Sequence, residues 1–105
     1  MIVVRVQFPV DVPNPEKLVE KMDSTTGKYE GLSGLIRKYY VFSEDKKHAG
    51  GIYLWESKEA AEAWYNEEWT AYMAEAWGEP PLLEYLHCPI VVDNVRSEVI
   101  SANAA

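Results

Sequence analysis

The chain has 105 residues and a mass of 12.0 kDa, enough for one hydrophobic core and too short for two. Hydrophobic residues make up 48% and charged residues 26%, the balance of a folding domain rather than a disordered chain. Seventeen Asp and Glu against ten Lys and Arg leave a net charge of -7, the wrong sign for neutralising phosphates or anionic lipid, so neither nucleic acid nor membrane is an expected partner.

Met1 to Val10 alternates Ile2, Val4, Val6 and Phe8 with Val3, Arg5 and Gln7, the period of a strand with one fully apolar face. Asn14-Pro15-Glu16 then gives a capping side chain, a proline suited to the first helical position and an acid that complements the dipole, and the helix is expected to run to about Thr25. Leu35 to Phe42 and Ala49 to Trp55, rich in β-branched and aromatic residues, flank the polar tip Glu44-Asp45-Lys46-Lys47 and predict a hairpin. The paired glycines Gly50 and Gly51 suggest a bulge at its second strand. Ser57 caps a further helix, Asn66 looks like a second start signal, and Trp69, Tyr72, Met73, Ala76 and Trp77 form a helical stripe that Gly78 and Pro80-Pro81 stop. Leu82 to Val92, carrying Pro89, is predicted as an edge strand. Residues 1–94 are expected to form one domain, with 95–105 a C-terminal arm whose end, Ser101 to Ala105, reads as a frayed tail.

Strand, helix, strand, strand, helix, strand is the order of the ferredoxin-like α+β fold, an antiparallel sheet with its helices on one face. No strand alternates cleanly along its whole length, so the other face also wants cover. A second copy of the chain, stacked sheet against sheet about a two-fold axis, would supply it. RNA-binding domains share this topology. However, Gly50-Gly51-Ile52-Tyr53-Leu54-Trp55 lacks the basic lead residue of their stacking motif.

Gly34-Leu35-Ile36-Arg37-Lys38, followed by Ala49-Gly50-Gly51-Ile52-Tyr53-Leu54-Trp55 and closed by Pro89-Ile90-Val91-Val92-Asp93-Asn94, resembles the YdhR-like monooxygenase family of dimeric α+β barrels. The resemblance implies a homodimer with a ligand pocket between helices and sheet. By wider similarity to antibiotic-biosynthesis monooxygenases, it also implies oxygenation of an aromatic polyketide- or quinol-like small molecule without metal, flavin or haem. A non-oxidative aromatic cyclase or a small-ligand binder of the same fold is the alternative.

The residues themselves fit such chemistry. A substrate that becomes electron-rich on deprotonation can itself reduce dioxygen, so the protein need only bind it, remove a proton and stabilise an anion. Arg5 and Gln7 share one face of the first strand, and Lys38 and Tyr40 share one face of the second. Arg5 and Lys38 are expected to stabilise the anion, His87 on the last strand to accept the proton, and Gln7 and Tyr40 to orient the substrate. Trp64, Trp69 and Tyr72 on the covering helices would supply the aromatic wall. Neither His48 nor His87 falls on a predicted helix, where haem degraders of this fold carry their axial ligand. One cysteine and two separated histidines offer no metal set, so no cofactor is expected. Cys88 reads as a small buried hydrophobe, and it permits no internal disulfide. Met1 to Arg5 has no signal-peptide pattern. Together these point to a cytoplasmic protein.

Overall fold

The computed structural model describes residues 1–11 and 14–101. Strand β1 (Ile2–Pro9) buries Ile2, Val4, Val6 and Phe8 against the helices and turns Arg5 and Gln7 to the other side. Helix α1 (Pro15–Asp23) starts where Asn14 Oδ1 accepts the Glu16 N–H at 3.0 Å. It ends two residues before the expected Thr25. The hydroxyls of Ser24 and Thr25 donate back to the carbonyls of Lys21 and Met22, and this competes with helix propagation. A single 3₁₀ turn, Thr26–Lys28, leads on to β2 (Leu35–Phe42) and β3 (His48–Trp55). Ser57 and Asn66 accept the Ala60 and Trp69 N–H groups and start α2 (Lys58–Trp64) and α3 (Glu67–Trp77), and Gly78 at φ 94° ends the second.

The strand expected over 82–92 is two strands, β4 (Leu82–His87) and β5 (Ile90–Asp93), because Pro89 between them has no N–H for a ladder. Strand β6 (Glu98–Ser101) pairs with β5, so residues on both sides of the expected boundary at 94 share one hairpin. Ser101 is therefore a strand residue, and the rest of the expected tail, Ala102 to Ala105, lies outside the described residues.

The main sheet is antiparallel, in the order β2-β3-β1-β4, with the helices on one face. This is the ferredoxin-like α+β fold, with β4 at an edge. The core gathers Val4, Trp55, Ala61 and Tyr65, and the Trp55 indole N–H donates to the Tyr65 hydroxyl at 3.1 Å inside it. Arg37 and Asp93 tie the β5–β6 hairpin to β2 through a 2.9 Å ion pair. The side chain of Asp93 also accepts the Arg96 and Val95 N–H groups, which with Arg37 hold its carboxyl below the usual carboxylate range. Cys88 is half-buried, its thiol directed at the Ile90 carbonyl.

The bulge lies in β2 rather than at the glycines. Leu35 pairs with Trp55 but Arg37 with Leu54, so Ile36 is an extra residue, whereas Gly50 and Gly51 continue the regular register. The extra residue shifts the alternation. Leu35 and Lys38 both face the helices although they are three apart, and Arg37 faces outward to Asp93. Close backbone approach explains Gly50: a Cβ there would stand 1.8 Å from the Val6 carbonyl oxygen.

Replacing Tyr65 with Phe should leave the buried Trp55 N–H without its acceptor. The expected loss of about 1–3 kcal/mol is measurable by urea denaturation, and an unchanged midpoint would show that the bond contributes nothing.

Candidate functional site

Between the sheet and the helices lies a partly open cleft of about 90 Å³. Val6, Phe8, Gly51 and Tyr53 form its floor, Tyr29 and Thr25 one side, and Trp69, Tyr72, Met73 and Trp77 of α3 the other. Phe8 and Trp77 stack at 4.5 Å, and the rings of Tyr29 and Tyr53 meet edge to face with centres 5.9 Å apart. The walls are thus made mainly of aromatic rings.

Lys38 enters this apolar space from β2. Its Nζ lies 3.5 Å from the ring centre of Tyr29, 3.7 Å from that of Tyr40 and 4.7 Å from that of Tyr53. Gly51 makes the cage possible: a Cβ at that position would sit 2.8 Å from the Tyr53 ring and 3.2 Å from Lys38 Cε. Burial, reinforced by the charge of Lys28, lowers the Lys38 amine from the ordinary lysine value to about 7, while the π faces favour its charged form. Burial likewise raises the hydroxyls of Tyr29, Tyr40 and Tyr53, so the rings stay neutral near neutral pH. Tyr40 shares a hydrogen bond of 2.8 Å with Thr25.

Of the residues selected from the sequence, Lys38, Tyr40, Trp69 and Tyr72 line the cleft together. Arg5 and Gln7 do not. They project from the opposite face of the sheet, where Arg5 donates to Gln7 Oε1 at 2.6 Å and approaches Glu84 at 4.0 Å. The cause is the period of β1: its apolar residues take the helix side, so its polar residues must leave it. His87 is also outside the cleft. It pairs with Ile2, four residues along β1 from Val6 of the cleft floor and hence about 13 Å away by strand rise, and it is exposed. Trp64 packs on Tyr29 at 5.5 Å and borders the neighbouring open groove with Lys28, Trp69 and Tyr72, and its buried indole N–H has no acceptor among the described residues.

Tyr29, Tyr53, Lys21, Lys28 and Trp77 complete the cleft and were not singled out from the sequence. Tyr53 had a usable signal, since in the hairpin register it pairs with Lys38. Tyr29 follows a 3₁₀ turn whose position no periodicity announces. Among the described residues, no group of three His, Cys, Asp or Glu side chains could hold a metal ion, and no helix is long and apolar enough to cross a membrane.

The folded amine of Lys38 loses its proton well below the unfolded value, so between about pH 7 and pH 10 the unfolded chain holds more protons. Stability contributed by this group therefore rises with pH across that window. Lys38→Met should accordingly raise the thermal midpoint more at pH 6 than at pH 9. An equal effect at both would mean an ordinary lysine.

A family model described as "Putative mono-oxygenase ydhR" matches residues 3–78. Among solved structures, the chain is similar to a monooxygenase from the gene ActVA-Orf6 of Streptomyces coelicolor, in complex with the ligand nanaomycin D. The identity is 26%, the coverage 83% of this chain and 86% of that one, and the TM-score 0.61. NE2512 of Nitrosomonas europaea, a protein of unknown function, shares the fold at 15% identity, with coverage of 83% and 87% and a TM-score of 0.63. No curated protein matches the chain. With the family model spanning residues 3–78, most of its length, the chain belongs to the ydhR mono-oxygenase family.

Proposed function

We propose that this protein is a cofactor-independent monooxygenase acting on a phenol-like aromatic molecule of the anthrone or quinol type. The observation that carries the reading is Lys38, an amine lowered to about 7 and held among tyrosine rings inside a cleft walled by aromatic side chains. In its neutral form, Lys38 accepts the substrate's acidic proton. As the ammonium, it then pairs with the anion. The electron-rich anion reduces dioxygen at carbon, forming a hydroperoxide with the proton returned from Lys38, and loss of water leaves a carbonyl. One oxygen atom enters the product and the other leaves as water. Tyr40, fixed by Thr25, orients the substrate oxygen, and Trp69 and Tyr72 hold the ring plane. In this assignment Lys38 takes the proton-accepting role first expected of His87.

An oxygen electrode with an anthrone as substrate tests this. Uptake equimolar with anthrone, unaffected by chelators, is expected, and Lys38→Gln should slow it about a hundredfold, the usual effect of losing one charge-stabilising group. Conversion to a ring-closed product without oxygen uptake would make the protein a cyclase. Binding without product would make it a carrier.

The same reading includes a homodimer. The sheet face away from the helices exposes Leu82 at 72%, Tyr39 at 51%, Leu86 at 47% and Val41 at 39%, an apolar surface suited to a second copy stacked sheet to sheet. Arg5 and Gln7 would then belong to the interface. Sedimentation at micromolar concentration should give a dimer, and Leu86→Lys should weaken it. A stable folded wild-type monomer would overturn this assembly.

A further inference from the structure

The protein as a whole carries a charge of -7, yet its cleft is lined by three lysines and, among the described residues, by no carboxylate. Asp11 and Glu68 belong to the open grooves on either side. The charge of Asp23 is felt at the Tyr40 hydroxyl, but Asp23 does not line the cleft. Lys38 lies inside; the other two lysines reach toward α3, one from α1 and one from the 3₁₀ turn that follows it. Lys21 of α1 sets its Nζ 3.9 Å from the ring centre of Trp77, and Lys28 of the 3₁₀ turn lies 5.1 Å from that of Tyr72.

These two contacts bear on entry. At about 90 Å³, the cleft is well below the roughly 300–1,000 Å³ of ordinary ligand pockets, so it must widen between α1 and α3 to hold a fused-ring molecule. Parting them separates Lys21 from Trp77 and Lys28 from Tyr72. A neutral ligand offers the freed ammonium groups nothing in return. An anionic ligand replaces each ring face with a charge-assisted partner while its own rings cover the exposed aromatic walls.

Resting on the reading of the cleft as an aromatic substrate site, we propose that its ligands are planar aromatic carboxylates. The ring system lies inside, and the carboxylate is held at the entrance by Lys21 and Lys28. These two lysines thereby determine specificity by charge, a role distinct from the proton transfer assigned to Lys38.

The test is calorimetric titration of the full chain with naphthoate and with naphthamide, which share a ring system and differ in charge. Naphthoate is expected to bind about tenfold more tightly in dilute buffer, with the preference shrinking in molar salt as the ion pairs are screened. The double variant Lys21→Gln/Lys28→Gln should abolish the preference. Lys46→Gln/Lys47→Gln at the hairpin tip, which makes the same change in net charge, should retain it. Equal affinity for the two probes, binding of neither, or a preference that survives Lys21→Gln/Lys28→Gln would overturn the proposal. Oxygen uptake separates the two readings: naphthoate selectivity in a protein that never consumes oxygen sinks the monooxygenase and leaves the anion site standing. Turnover of neutral and carboxylated anthrones at equal kcat/KM does the reverse.

Discussion

The site depends on one inserted residue. A regular β2 with Leu35 packed inward would point Arg37 at the helices and Lys38 at the far side of the sheet. Ile36 breaks that alternation, and two charged side chains exchange faces. Arg37 then reaches Asp93 and anchors the β5–β6 hairpin, while Lys38 enters the aromatic cleft. The adjoining strand accommodates this. Gly50 lets β3 approach the Val6 carbonyl closely, and Gly51 leaves the space in which the Lys38 stem and the Tyr53 ring meet. Strand register, normally a matter of stability, here decides which cation has a chemical environment.

That environment sets two opposing effects on the amine. Removal from water favours the neutral form, and the charge of Lys28 acts in the same direction. Tyrosine faces favour the ammonium without introducing a carboxylate that would hold it permanently charged. A group balanced in this way near neutrality can both take up and release a proton. Because burial raises the tyrosine hydroxyls, the cage does not compete for that proton.

The two faces of the sheet divide the work. The helix side holds the core and the cleft, continuous through Tyr53, Tyr65 and Trp69 with ring centres 5.4 and 4.9 Å apart. The other side carries exposed leucines with Arg5, Gln7 and Glu84, and there Arg5 and Gln7 border an open groove of about 320 Å³ with Val41, Phe42 and His48. Aromatic residues placed by α3 thus serve both stability and the cleft, since the helix that seals the core also forms the cleft's wall.

The elements from β1 to α3, their caps and the apolar face of β1 were legible in the sequence, because these follow from local periodicity and from side chains hydrogen-bonding within a few residues, whereas the split of the expected last strand and the β5–β6 hairpin were not. The sequence also determined that Lys38 and Tyr40 share a face, since they are two apart on one strand, and that Trp69 and Tyr72 belong to one helical stripe. Which face each strand turns to the helices is settled by packing between segments distant in sequence. The polar pair on β1 looked like pocket chemistry, yet the apolar residues of that strand claim the helix side and send Arg5 and Gln7 away. The bulge moved from the glycines to Ile36 because pairing register belongs to two strands at once. Tyr29, Lys21 and Lys28 joined the site through contacts between segments distant in sequence, which no pattern within either segment encodes.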